Sequence, residues 1–136
     1  FNDTFGHEAG DLVLKQVAAT LLDHARESDV VSRYGGEEFA LMMPGTSIAD
    51  AAERAEALRK AIKQLHLTHR GRTLGTITAS FGVSAFPELG ASWVEIVNAA
   101  DRSLYQAKAD GRDRVVAGLG RADPNWDLPT VSQSVG

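Results

Sequence analysis

The sequence contains no cysteine, which excludes both disulfides and thiolate metal centres and fits a reducing compartment. Long apolar runs are missing too. None approaches the ~20 residues of a membrane span, and no signal-peptide pattern opens the chain. Basic charge is also scarce: 14 Lys and Arg stand against 18 Asp and Glu, for a formal net charge of -4. No basic stripe of the kind a duplex nucleic-acid binder carries is present, so nucleic acid is not an expected partner. A local cluster of Arg and Lys can still hold a small anionic ligand against an acidic background. What remains is ordinary for a soluble domain: 136 residues, 43% hydrophobic and 24% charged, enough to bury one core without staples.

Periodicity divides the chain. Apolar residues recur with helical spacing at Leu14, Val17, Ala18, Leu21 and Leu22, which predicts a helix over residues 9–26. Val30 to Tyr34 and Phe39 to Met43 are β-prone runs on either side of two glycines and read as a hairpin, closed by Pro44-Gly45. Ser47-x-x-Asp50 resembles a capping signal for a second helix, whose stripe runs through Ile48, Ala52, Ala55, Leu58, Ile62 and Leu65. Leu67-Thr68 and Leu74 to Phe86 read as strands around a turn at Gly71-Arg72. Ser92-x-x-Glu95 is a capping box for a third helix running to Asp110, which Gly111 stops, and Val115-Val116 form a last short strand. The order α-ββ-α-ββ-α-β predicts an α+β domain over residues 1–118, with helices on a mainly antiparallel sheet. Residues 119–136, with Pro124 and Pro129 and little periodicity, read as a tail or linker.

Several groups could carry chemistry. In Arg33-Tyr34-Gly35-Gly36-Glu37-Glu38-Phe39, paired glycines suit a tight primed turn with positive φ, and they let a ligand approach the backbone. The adjacent carboxylates could hold Mg²⁺, which prefers oxygen ligands and substrate phosphates. The same run also reads as a hairpin with two solvated glutamates. Lys108 and Arg112 are spaced to converge on one anion, or simply to favour a helix C-terminus. Arg26-x-x-Asp29 offers an Arg fork for a phosphate or guanine edge and an Asp acceptor, or a surface ion pair of small value. Asn2 and Asp11 could read a purine or cap a helix. His7, His24, His66 and His69 show no metal-ligand spacing and are expected to be structural.

Taken together, these residues resemble the diguanylate cyclase (GGDEF) family. Asn2-Asp3-Thr4-Phe5-Gly6-His7-x-x-Gly10-Asp11 is similar to its loop-helix entry, and Gly35-Gly36-Glu37-Glu38-Phe39 to its signature hairpin in the GGEEF form. Ser80-Phe81-Gly82-Val83 resembles its central strand. Ala100-Asp101-x-x-Leu104-Tyr105-x-Ala107-Lys108-x-x-Gly111-Arg112-x-Arg114-Val115 resembles its last helix and strand. The resemblance spans about residues 1–117, in order and register.

The resemblance implies condensation of two GTP into cyclic di-GMP and two pyrophosphates by a homodimer, with Mg²⁺ (or Mn²⁺) as cofactor. By position it makes Glu37 the metal ligand and central catalytic carboxylate, with Glu38 in support. Gly35 and Gly36 let the nucleotide pass, Asn2 and Asp11 read guanine, and Lys108 and Arg112 clamp the terminal phosphates. Arg26 and Asp29 fall on the RxxD site at which cyclic di-GMP inhibits, an Arg of the second helix (Arg54 or Arg59) completing it. The resemblance further implies a cytoplasmic output domain of a longer sensor protein. It also places a strand with an acidic metal ligand before Asn2. With that strand absent from the sequence, the expectations are an unpaired sheet edge, little cyclase activity, and a chain that acts as a cyclic di-GMP-binding module.

Overall fold

A computed structural model describes residues 6–118 and the backbone of residues 133–135. The architecture is α+β, as the alternation of periods predicts. Helix α1 spans Gly6–His24, strands β1 and β2 span Val30–Arg33 and Phe39–Met42, and helix α2 spans Ile48–Lys63. The short strands β3 (Thr68–His69) and β4 (Arg72–Thr73) precede β5 (Ala79–Val83), helix α3 (Trp93–Ala109), β6 (Val115–Ala117) and β7 (Gln133–Val135). The pairs β1-β2 and β3-β4 are antiparallel hairpins, whereas β5 pairs parallel with β6 and antiparallel with β7. Within the stretch read as a tail, residues 133–135 thus add a strand on β5; residues 119–132 and 136 lie outside the described residues.

Both capping signals act as the sequence predicts. Ser47 accepts from the Asp50 amide at 3.1 Å, and Ser92 from the Glu95 amide at 3.2 Å. Glu95 reaches back to the Ala91 amide at 3.0 Å, one residue earlier than a capping box requires. At the far end of α3, the Gly111 amide meets the Lys108 carbonyl and the Arg112 amide the Ala107 carbonyl. These are the two reverse bonds of a Schellman stop, and they explain why Gly111, at φ 119°, ends the helix.

The core gathers Val13, Val17 and Leu21 of α1, Leu58 and Ile62 of α2, Phe39, and Ile77, Phe81 and Val83 around β5. Helix α1 begins and ends earlier than its apolar pattern predicts, and Leu22 faces solvent because the stripe runs through Ala9, Val13, Val17 and Leu21 instead. Only Ala79–Val83 of the expected Leu74–Phe86 strand is paired in β5. Gly82 shows why β5 can lie against α3: a Cβ there would sit 2.2 Å from the Ala100 carbonyl and 2.3 Å from the Leu104 nitrogen. An open apolar groove of about 760 Å³ separates β2 from β5, lined among others by Leu41, Met43, Leu58, Phe81 and Ile96.

Candidate functional site

The β1-β2 hairpin carries the first group. Its register pairs Arg33 with Phe39, leaving a five-residue loop from Tyr34 to Glu38 that the Tyr34 amide closes on the Glu38 carbonyl at 2.8 Å. This corrects the expected two-residue primed turn. Gly35 and Gly36 are not among the positive-φ residues, so backbone conformation does not require glycine there. A Cβ at either position would meet nothing within 4 Å, so both present open backbone to the outside. The Arg33 guanidinium folds over the loop and donates to the Gly36 carbonyl at 2.6 Å and the Gly35 carbonyl at 3.3 Å.

Glu37 projects into solvent, whereas Glu38 is half-buried and faces α3. Its Oε1 lies 3.6 Å from Lys108 Nζ, so the structure brings Glu38 and the last-helix cation together. Arg112 sits one turn beyond, exposed, and among the described residues its guanidinium has no partner. Its backbone is left-handed, φ 64°, as is that of Asp113, φ 48°. That conformation costs an L-residue roughly 1–2 kcal/mol and needs outside support.

Sequence reasoning missed Asp101, seven residues before Lys108 on α3. It is 5% exposed, and its Oδ1 has no hydrogen-bond partner among the described residues. Burial, with the charge of Glu38 adding to it, pushes its carboxyl up to about 7. The available signal was an acidic residue set directly in the buried stripe of Ala100, Leu104 and Ala107.

Among the described residues, no three His, Cys, Asp or Glu side chains converge on a point a metal could occupy. The donor chemistry nonetheless fits Mg²⁺, which keeps several waters and takes one or two carboxylates plus substrate phosphates. Glu37 and Glu38 supply such oxygens beside open backbone, and Asp101 Oδ1 is buried without a partner among the described residues.

The second group lies where α1 leads into β1. The Arg26 amide donates to Asp29 Oδ2 at 2.8 Å, and Arg54 of α2 reaches the same oxygen at 2.5 Å. Arg54 also donates to the His24 carbonyl at 3.3 Å. The Asp29 side chain is 2% exposed, so this is a desolvated pair and not the loose surface pair considered from sequence. The Arg54 hydrogen bond holds the Asp29 carboxyl below its ordinary value, against the opposing effect of burial. Asp29 Oδ1 and Arg54 Nη1 are buried without partners among the described residues, while the Arg26 side chain is exposed. Of the two candidate arginines, Arg54 joins Asp29, and Arg59 points elsewhere, to Glu56 and Asp113.

Asp11 sits exposed within α1, which rules it out as the cap of that helix. Asn2, the other residue of the expected guanine-reading pair, lies outside the described residues. The histidines serve structure where they are paired: His24 Nδ1 lies 2.9 Å from the Thr20 carbonyl and His69 Nε2 3.6 Å from Glu8.

Compared with known proteins, residues 1–114 match the family described as diguanylate cyclase, GGDEF domain. The chain belongs to this family. It is 44% identical over 116 residues to the response regulator PleD of Caulobacter vibrioides, covering 85% of this chain and 26% of that protein. It is 41% identical over 114 residues to diguanylate cyclase A of Treponema denticola, covering 84% of this chain and 30% of the relative. The chain therefore spans less than a third of these curated relatives. Among solved structures, the GGDEF domain of DgcB from Caulobacter crescentus, in complex with c-di-GMP, superposes with a TM-score of 0.79 at 37% identity over 85% of this chain and 68% of that one. The active GGEEF domain of a Vibrio cholerae diguanylate cyclase gives 0.77 at 29% identity, covering 85% and 72%. No helix among the described residues is long and apolar enough to cross a membrane.

Proposed function

We propose that this domain binds GTP between the Gly35–Glu38 loop and the end of α3, and condenses two GTP into cyclic di-GMP when two copies face each other. The observation that carries this reading is the approach of Lys108 to Glu38, which sets a cation of α3 against a carboxylate of the hairpin. Gly35 and Gly36 leave the loop backbone open to a triphosphate. Lys108 and Arg112 neutralise its terminal phosphates, and Asn2 and Asp11 select guanine. Each 3′-hydroxyl attacks the α-phosphate held by the other domain; the new ester bond forms as the bond to pyrophosphate breaks. Glu37 would hold Mg²⁺, supported by Glu38. When bound, the ion neutralises triphosphate charge and lowers the pKa of the attacking hydroxyl. Because neither domain can supply both nucleotides, the reaction needs a homodimer, and we read this one as the cytoplasmic output of a longer signalling protein.

A second reading is favoured by the Asp29–Arg54 pair: a cyclic di-GMP-binding module with little or no turnover. Arg26 and Asp29, joined by Arg54, present an exposed guanidinium beside one carboxylate oxygen and one guanidinium nitrogen that are buried and unpartnered among the described residues. Such groups await hydrogen bonds that a guanine edge or phosphate can make. Calorimetric titration with cyclic di-GMP separates the possibilities when run beside GTP turnover. Product formation that Glu37→Gln abolishes supports the cyclase. Product binding that Arg26→Ala abolishes, without turnover, supports the module. A folded chain that neither binds nor forms cyclic di-GMP would sink both.

A further inference from the structure

Arg112 stands in a loop whose backbone three consecutive residues hold at positive φ: Gly111 at 119°, Arg112 at 64° and Asp113 at 48°. Glycine adopts this conformation freely, but an Arg followed by an Asp does not, and something must hold them there. The Schellman bond from the Arg112 amide to the Ala107 carbonyl fixes one side at 2.9 Å. Arg114 Nε donates to the Arg112 carbonyl at 2.9 Å. The strongest anchor comes from outside the loop. The two carboxylate oxygens of Asp113 are divided between Arg59 Nη1 at 2.8 Å and Lys63 Nζ at 2.5 Å, both from the last turns of α2. The Asp113 amide donates to Ser80 Oγ on β5 at 3.2 Å. Burial pushes the Asp113 carboxyl up, but the hydrogen bonds from Lys63 and Arg59 outweigh it and hold the group ionised below its ordinary value. Arg59 is itself locked by Glu56, so the grip on Asp113 is directional and not a loose attraction. These bonds hold the backbone on both sides of Arg112, whereas its side chain is exposed and has no partner among the described residues.

We propose that Asp113, gripped by Arg59 and Lys63, is a positioning residue that fixes Arg112 in its left-handed conformation and aims its guanidinium at the terminal phosphates of the nucleotide. Helix α2 thereby sets how strongly the domain discriminates a triphosphate from a monophosphate. This rests on reading Lys108 and Arg112 as the phosphate clamp, and the experiment separates the two claims.

The affinities of the full chain for GMP and for the non-cleavable α,β-methylene analogue of GTP are measured by calorimetry in magnesium buffer, for the parent and for Arg112→Ala, Asp113→Ala, Asp113→Asn and Lys63→Gln. Loss of one charge-assisted phosphate contact corresponds to about tenfold. Asp113→Ala is expected to weaken the triphosphate by about that factor, as Arg112→Ala does, with GMP changed by less than about twofold. The double variant Arg112→Ala/Asp113→Ala, measured alongside, is expected to be no weaker than Arg112→Ala alone, because both changes remove the same contact. Asp113→Asn, which tolerates positive φ and keeps one acceptor, recovers most of the preference. Lys63→Gln leaves the loop sequence intact and is expected to lose part of the preference, so the proposal stays testable if Asp113→Ala fails to fold. A purely structural role predicts a different pattern: lower Tm in these variants, with the triphosphate-to-GMP ratio unchanged, or additive losses in the double variant. Either result overturns the inference while leaving the clamp in place. A parent that binds the triphosphate no better than GMP overturns the clamp and the inference together.

Discussion

The two ends of the β1-β2 hairpin are built by opposite rules. Around Asp29 the chain's own groups hold one another: a carboxylate 2% exposed is gripped by Arg54 and by the Arg26 amide. Around Glu37 almost nothing is fixed. The Glu37 carboxylate is exposed, and its loop is closed by one backbone bond and by Arg33. A desolvated ion pair stays ordered because breaking it strands a buried charge. An exposed carboxylate loses little by moving, and a metal ion and triphosphate are what would order it. The contrast matches the proposed roles. An inhibitory site must respond to product at any time, whereas a catalytic site becomes complete only when substrate arrives and a second domain closes on it.

The largest predicted effect tests whether these ends belong to one cooperative unit. Strand β5 packs against α3, which carries Lys108, and also against α2, which carries Arg54. Gly82→Ala would drive a methyl into the Ala100 carbonyl and the Leu104 backbone, neither of which is a flexible side chain that could yield. A loss of more than about 3 kcal/mol is expected in urea denaturation, with both regions unfolding together. Near-native stability of this variant would mean that α3 can shift freely, and the ends would then be independent.

Asp29→Ala breaks the preassembled end alone. It strands the Arg54 guanidinium, 18% exposed, and should cost about 2–3 kcal/mol at neutral pH. Cyclic di-GMP binding should vanish while affinity for the GTP analogue holds. Retention of product binding would move the inhibitory site elsewhere.

Much of this arrangement was legible in the sequence, because it depends on local spacing. Ser47, Ser92 and Gly111 act through neighbours three to five residues away, so a pattern suffices to find them. Four motifs in register gave the family and placed Glu38 and Lys108 in one site. What escaped depends on distance along the chain. Arg54 meets Asp29 across 25 residues and Arg59 meets Asp113 across 54, and neither pairing leaves a periodic trace. Two arginines five apart on α2 looked interchangeable until the fold sent Arg54 to Asp29 and Arg59 to Asp113. The length of the hairpin loop escaped for a related reason: paired glycines are compatible with a two-residue turn, but the Arg33–Phe39 register decides it.

The ion-paired carboxyls and the buried Asp101 carry opposite pH signatures. The Asp29 carboxyl is held low, and so are those of Glu56 and Asp113. Their contribution to stability is present above about pH 4 and is lost as pH falls below it. Asp101, beside Glu38, is raised to about 7, so the folded state binds more protons than the unfolded one between about pH 4 and 7. Stability from this group therefore declines as pH rises through that window. Asp101→Asn removes the ionisation, and is expected to stabilise the chain by about 1–2 kcal/mol at pH 8, with little gain at pH 5. The change is discounted because an amide still leaves a buried polar group. Thermal melts at both pH values measure it, and an equal change at the two would show that Asp101 does not titrate as described.

The smallest effect on stability belongs to the loop end, and its smallness is what makes it informative. Arg33 is exposed, and its bonds to the Gly35 and Gly36 carbonyls are the only side-chain tether across the loop among the described residues. Arg33→Ala should change global stability by less than about 0.5 kcal/mol, as exposed contacts do. Locally the outcome should be large. With the tether gone, amides of Gly35 to Glu38 should exchange hydrogen faster, while those of β1 and β2 keep their protection. The Asp29–Arg54 end should not respond at all. If exchange quickens at both ends, the loop and the ion pair share an ordering event, and the division between a preassembled site and one that waits for its ligand fails.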